Sequence, residues 1–170
     1  MDGKYQAVAA ALQERFGVEI QEFRGEVTLV VASERFLETA RAMRDEFGYD
    51  HLVDVTAVDY WPQEEPRFHV VYHIRNLNET LILCLRVPLN GNYPTHPTVE
   101  GLYPGANWYE REVYDMFGVT FSGHSDLRRL LQPADMVGHP LRKDFPLGYE
   151  EVAFSFNHDE IMKRKLHPKE

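Results

Sequence analysis

Residues 49–87, YDHLVDVTAVDYWPQEEPRFHVVYHIRNLNETLILCLRV, hold three β-forming runs in succession. Tyr49 to Val58 alternates in part, with Leu52, Val53, Val55 and Val58 as its apolar members. Arg67 to Ile74 is rich in aromatic and β-branched residues, and Thr80 to Val87 is nearly all apolar before Arg86. These are the residue types that suit a pleated, half-buried surface. Pro62 and Pro66 punctuate the first connection, and Asn76 to Glu79 is short enough for a hairpin. Three consecutive strand candidates at the centre of the chain, the last two joined by a hairpin-length connection, argue for a mostly antiparallel sheet.

Outward from that centre the periodicity changes. Tyr5 to Phe16 places Val8, Ala11, Leu12 and Phe16 at helical spacing and stops at Gly17. Val18–Ile20 and Val27–Val31 read as two short strands around a polar turn over Gln21–Glu26. Ser33 is the expected N-cap of a second helix running through Phe47, with Phe36, Leu37, Ala40, Met43 and Phe47 on one face and Gly48 as its stop. Pro88 to Pro97, with Asn90-Gly91, is expected to be a loop. A further helix is expected from Gly105 or Ala106 to Phe117, with Gly118 at C′. Beyond it, prolines at 133, 140 and 146 and glycines at 123, 138 and 148 prevent long regular elements, and Pro133–Met136 suggests one helical turn. The expected order α-β-β-α-β-β-β-α argues for an α+β two-layer domain with helices on one face of a mostly antiparallel sheet. The domain is expected to occupy 1–118 and an extended irregular arm 119–170.

Composition narrows the functional classes. The chain has 170 residues, 44% hydrophobic, enough for an ordinary core. No apolar run approaches the ~20 residues of a membrane span, and the N-terminus reads as an amphipathic helix rather than a targeting peptide. The net charge of −9 argues against nucleic acid as a partner. That charge is uneven: residues 119–149 hold four Lys/Arg against three Asp/Glu, a local +1. Cys84 is the only cysteine, which excludes an internal disulfide and any multi-thiolate cluster held by this chain. Its apolar neighbours suggest a buried, inert thiol. Neither a phosphate-cradling glycine loop nor a G-x-S-x-G elbow is present.

The chemistry-bearing residues concentrate in 107–147, NWYEREVYDMFGVTFSGHSDLRRLLQPADMVGHPLRKDFPL. Glu110, Arg111, Glu112 and Asp115 lie among aromatics, and an arm carrying His124, Arg128, Arg129, His139, Arg142, Lys143 and Asp144 follows. Helical spacing assigns Tyr109, Val113, Met116 and Phe117 to a core-facing stripe and leaves the charged residues on the other sides. Those charges read either as a solvated face, whose pairs contribute ~0.5 kcal/mol or less each, as clamps on Arg128, Arg129, Arg142 or Lys143, or as contacts to another chain. The histidines read as ring donors to loop carbonyls, or else as a metal site in which His124, Asp126, His139 and Glu112 converge. His69 and His73 are four apart on a strand, about 13 Å, too far to chelate one ion.

The segments EREVYDMFGV at 110–119, FSGHSDLRRLL at 121–131 and GHPLRKDFPL at 138–147, preceded by YPGANW at 103–108, closely resemble the signature of the 30-kDa-type subunit of the proton-pumping NADH–quinone oxidoreductase, respiratory complex I. The resemblance implies a cofactor-free hydrophilic subunit of the peripheral arm, on the cytoplasmic face of the bacterial membrane and attached to it only through the complex. FMN, the iron–sulfur clusters and quinone would belong to other chains. Its partners would be the large subunit that helps form the quinone site and adjacent iron–sulfur subunits. Glu110, Arg111, Glu112, Asp115, Arg128, Arg129, His139, Arg142, Lys143 and Asp144 would form the network that shapes and docks the arm. Phe121, Phe145, Tyr149, Phe154 and Phe156 would be its aromatic anchors. Ser125 and Met136 stand where the family usually has Pro and Trp. A homologous subunit of a membrane-bound [NiFe]-hydrogenase-type complex and a free-standing metal-dependent hydrolase are the alternatives.

Overall fold

The computed structural model describes residues 3–79, 81–146 and 163. Its elements are α1 (Gly3–Phe16), β1 (Glu19–Phe23), β2 (Glu26–Val30), α2 (Ser33–Asp45), β3 (His51–Asp59), β4 (Phe68–Asn76), β5 (Leu81–Leu89), β6 (Thr95–Pro97), α3 (Ala106–Phe117) and β7 (Thr120–Ser122). The three expected strands form an antiparallel meander that makes up one side of a five-stranded sheet of order β1-β2-β5-β4-β3, with β3 at its edge. All its neighbours are antiparallel except β2 and β5. One face, carrying Leu29, Val70, Tyr72, Ile74, Leu83, Leu85 and Val87, joins the core formed with the helices. This is the two-layer α+β arrangement, because each helix buries a single stripe: Ala9 and Leu12 from α1, Phe36, Ala40 and Met43 from α2, Val113 and Met116 from α3.

Several local expectations change. The turn between β1 and β2 is only Arg24-Gly25, with φ of 53° and 87°. Two positive φ values are what a two-residue hairpin of right-handed twist requires, so β1 extends to Phe23. Ala32, not Ser33, stands at the N-cap of α2. Ser33 lies inside the helix, and its hydroxyl is 2.8 Å from Nδ1 of His96. The Pro88–Pro97 loop is shorter than expected, because β5 runs to Leu89 and β6 pairs in parallel with β7 through Thr95–Thr120 and His96–Phe121. Val119 and Phe121 are fully buried in the core just beyond Gly118. Cys84 is half-buried on the sheet face away from the helices, and burial raises its thiol pKa. Pro133–Met136 closes a single turn, with Met136 N donating to the Pro133 carbonyl.

The meander also places α3. Register in the β3–β4 pair slips between Leu52 and Asp54, and the carbonyl of the intervening Val53 accepts the Tyr109 hydroxyl at 3.0 Å. A second tyrosine, Tyr103, donates to the Tyr49 carbonyl at 2.8 Å. The start of α3 and the segment before it are thus tied to β3 and to the residue that leads into it.

Candidate functional site where the third helix meets the arm

Helix α3 buries Glu110, Arg111 and Asp115 as well as its apolar stripe. Three buried ionisable groups on twelve residues cost free energy unless each finds partners. Each does, and the partners differ.

Asp115 is the hub. Its side chain is wholly buried. One carboxylate oxygen accepts the backbone N–H groups of Leu130, Leu131 and Gln132 at 3.1, 2.8 and 2.8 Å. The other receives Arg129 Nη1 at 2.7 Å, while Arg129 Nη2 donates to the Gly138 carbonyl at 3.0 Å. Burial would raise the carboxyl pKa, but the three N–H donors and the guanidinium outweigh it and hold it below the ordinary carboxylate value.

The arm then closes the end of α3. A helix leaves its last carbonyls without internal partners. His139 Nδ1 donates to the Asp115 carbonyl at 3.0 Å, Leu141 N to that of Met116 at 3.0 Å, and Arg142 Nε to that of Phe117 at 2.6 Å. Gly118, left-handed at φ 74°, completes the cap by donating to the Tyr114 carbonyl. Burial and the neighbouring Arg142 and Arg129 push the His139 imidazole below its ordinary value, so it is neutral at pH 7. Arg111, 7% exposed, supports the same segment by donating to the carbonyls of Arg128 and Arg129 at 3.2 and 3.4 Å, with Trp108 stacked 4.9 Å away.

Glu110 serves the other side. It accepts Val99 N at 2.8 Å and the Thr98 hydroxyl at 2.5 Å, which fixes the strand-like segment from β6 beneath α3. Burial raises its pKa. His124, 3.9 Å from it, donates through Nε2 to the Asn107 carbonyl, while its Nδ1 accepts Asp126 N. Ser125 N and Oγ both donate to Glu100, at 3.0 and 2.7 Å. A proline at that position could make neither bond.

A second centre, which the sequence reading missed, secures the next stretch of the arm. Arg67 has no exposed side-chain surface and forks onto Asp59, with Nε and Nη2 each 3.0 Å from one carboxylate oxygen. The same guanidinium meets Asp144 at 2.7 Å and Asn92, and it lies between the rings of Trp61 and Phe68. Lys143 contributes its backbone N–H, not its ammonium, to Asp59 at 2.9 Å. Although burial opposes ionisation at both centres, the fork lowers the Asp59 pKa and raises that of Arg67. Asp59 and Arg67, eight residues apart, flank the loop that joins β3 and β4. That is the signal which could have found the pair.

Of the ten network residues expected from sequence, the structure joins Arg111, Asp115, Arg129, His139 and Arg142 at the end of α3 and Lys143 and Asp144 at the Arg67 centre. Glu110 works apart from them. Among the described residues the Arg128 side chain pairs with Asp126 on the surface at 2.8 Å, and Glu112 is exposed, with no ion pair there. Among the described residues no three His, Cys, Asp or Glu side chains gather as a metal site, since His124 and His139 turn to carbonyls eight residues apart on α3. Phe121 is buried within the domain and does not face outward. Tyr149, Phe154 and Phe156 lie outside the described residues.

Residues 29–151 match the family model described as the 30-kDa subunit of respiratory-chain NADH dehydrogenase. A subunit of the NADH-quinone oxidoreductase of Roseiflexus sp. (strain RS-1) is 48% identical over 151 residues, 88% of this chain and 86% of that protein. The like-named protein of Herpetosiphon aurantiacus is 40% identical over 168 residues, covering 95% and 98%. Among solved structures, a trypsin-resistant fragment (1–134) of Nqo5 superposes with TM-score 0.65 at 34% identity, over 73% of this chain and 99% of the fragment. A chain of an archaeal membrane-bound sulfane sulfur reductase, a respiratory membrane complex, superposes with TM-score 0.74 at 25% identity, over 86% and 87%.

Proposed function

This chain belongs to the family of the 30-kDa subunit of respiratory-chain NADH dehydrogenase, and from that membership we propose that it is a non-catalytic, cofactor-free subunit of an NADH–quinone oxidoreductase. In this reading electrons pass from NADH through FMN and iron–sulfur centres in other chains to quinone, coupled to proton translocation. This chain shapes and presents a docking surface for the large quinone-site subunit and the adjacent iron–sulfur subunits. It sits at the cytoplasmic face of the membrane and reaches the membrane only through the complex. Among the described residues no helix is long and apolar enough to cross a bilayer, which fits attachment through partners.

The observation that carries the reading is 48% identity to an NADH-quinone oxidoreductase subunit across most of both chains. The chemistry of α3 agrees with it. Arg111 and Asp115 are satisfied by the arm and Glu110 by the Thr98–Val99 segment, an arrangement that fixes a shape. The hydrogenase-type setting has no comparable sequence support.

The test is affinity purification of the tagged chain from its native membranes in mild detergent, followed by mass spectrometry and NADH oxidation assays. Recovery of an NADH-oxidising assembly with flavin and iron–sulfur subunits is expected. Nickel-containing partners would move the chain to the hydrogenase setting. A lone chain with activity of its own would overturn the proposal.

A further inference from the structure

Strand β5 reads LILCLRVPL, an apolar run that scarcely alternates. Such a run is the pattern of a strand covered on both faces, and parallel strand pairs are normally covered in the same way. Here β5 pairs in parallel with β2 through Thr28–Cys84 and Leu29–Leu85, yet only the Leu83–Leu85–Val87 face is covered. On the opposite face, among the described residues, no element lies over the sheet. Ile82 remains 42% exposed and Phe23 of the neighbouring β1 69% exposed. Two adjoining hollows of about 420 and 290 Å³ open there and share Glu26, Thr28 and Cys84. Their floor is made of short side chains, with Phe23, Ile82 and Val71 as apolar walls. The strands beside β5 do alternate and bring Gln21, Thr28 and His73 to this face, so its apolar surface is concentrated at Phe23, Ile82 and Val71 around the hollows.

The charges of the groove are unequal. Arg86 is engaged by the Tyr60 hydroxyl at 2.5 Å, and His73 by Asp54 at 2.7 Å. Glu26 borders both hollows, is exposed, and has no ion pair among the described residues. The face as a whole is wide enough to matter. Four strands about 4.8 Å apart and five to nine residues long give a footprint of roughly 500 Å², a large part of the ~800 Å² per partner of a standard interface.

We propose that this open sheet face over β1, β2, β5 and β4 is a second docking surface, distinct from the arm, covered in the assembly by a segment of a neighbouring protein chain that lays apolar side chains between Phe23 and Ile82 and brings a Lys or Arg to Glu26. The inference rests on the reading of the chain as one component of a larger complex. It assigns a partner chemistry to a surface that the arm network does not involve.

Cys84 reports on the groove directly, since it is the chain's only cysteine and lies in the floor. The experiment compares its alkylation by N-ethylmaleimide, read by peptide mass spectrometry, in the isolated full chain and in the purified detergent-solubilised assembly. A Tyr93→Cys variant, at a position 91% exposed, controls for general access. Alkylation of Cys84 at least about tenfold slower in the assembly than in the isolated chain is expected, since covering the groove removes the thiol from solvent. Glu26→Lys should bring the assembly rate back toward the isolated one. Equal rates in an assembly that demonstrably contains the chain would overturn this proposal and leave the reading of the chain as a complex component intact. Protection already complete in the isolated chain would also overturn it, because the cover would then be the chain itself or a second copy. Failure to recover any assembly would sink that reading, and this inference with it.

Discussion

Replacing Asp115 with Asn keeps the shape of the side chain and removes its charge, which makes it the sharpest probe of the arm. The carboxylate accepts three backbone N–H groups and one guanidinium in a site without solvent. An amide cannot replace it. With its oxygen toward Leu130–Gln132 it points an NH₂ at Arg129, and in the other rotamer it points NH₂ at three N–H donors. Hydrogen bonds to a charged group contribute about 1.5–3 kcal/mol each, and breaking one side of a buried pair costs about 3–5 kcal/mol. A net loss of roughly 3–4 kcal/mol follows. The loss is local, because Leu131 and Leu141 are more than half exposed and, beyond Phe121, no hydrophobic residue of the described arm is buried in the core. Trypsin should therefore cut at Arg128, Arg129, Arg142 or Lys143 about 10²–10³ times faster in the variant, in step with the population of the open arm. The melting temperature should fall by less than the ~6–16 °C that a global loss of this size would give. Because the folded pKa of Asp115 is depressed, the latch is fully present above about pH 4, the unfolded value, and is lost as pH falls through the folded one. An acid-active protease should thus find the wild-type arm opening only below about pH 4, and the variant arm open throughout. Cleavage of the variant within about a factor of three of wild type would refute the argument.

Arg67→Met should leave Asp59 buried and unpaired and lower the melting temperature by on the order of 10 °C; adding Asp59→Asn should recover part of it, as differential scanning calorimetry would show. Gly118→Ala puts a methyl group 2.5–2.6 Å from Arg142 and His139 at a φ of +74°. A loss of about 2 kcal/mol and faster trypsin cleavage at Arg142 are expected, against no change if the cap is loose. His96 is wholly buried, and burial depresses its pKa to about 3. The unfolded chain binds that proton near pH 6.5, so stability is complete above about pH 6.5 and falls between 6.5 and 3, by on the order of 5 kcal/mol. Urea unfolding across that range should show a shallower acid slope in His96→Phe.

What the sequence discloses is set by distance along the chain. The central strands, the three helices and the Gly118 stop were legible because each announces itself within about a dozen residues, through periodicity or a turn residue. The β6–β7 ladder was not. It consists of two three-residue strands, one ending in Pro97, and its pairing spans more than twenty residues. Glu112 and Asp115, three apart, look equivalent in a helical projection, yet one is exposed and the other wholly buried. The arm's path decides between them, and no local pattern records that path. In the sequence Arg67 is simply the start of a strand, because two of its partners, Asn92 and Asp144, are remote along the chain.

The arm itself follows from a deficiency in α3. That helix has no basic residue in its last turn, so its negative end and its free carbonyls are left for other segments to satisfy. His139, Leu141 and Arg142 come back to the carbonyls of Asp115, Met116 and Phe117, and Arg129 brings its charge to the Asp115 side chain. An arm rich in Pro and Gly cannot meet its hydrogen-bond needs with structure of its own. A helix without a basic end needs donors. Each supplies what the other lacks, and so a segment with almost no regular structure holds one shape over the described residues. The same exchange turns Arg129, His139 and Arg142 toward the helix end and leaves Leu131, Val137 and Leu141 53–86% exposed. Apolar side chains left exposed in this way suit a protein whose outer contacts are made by other chains.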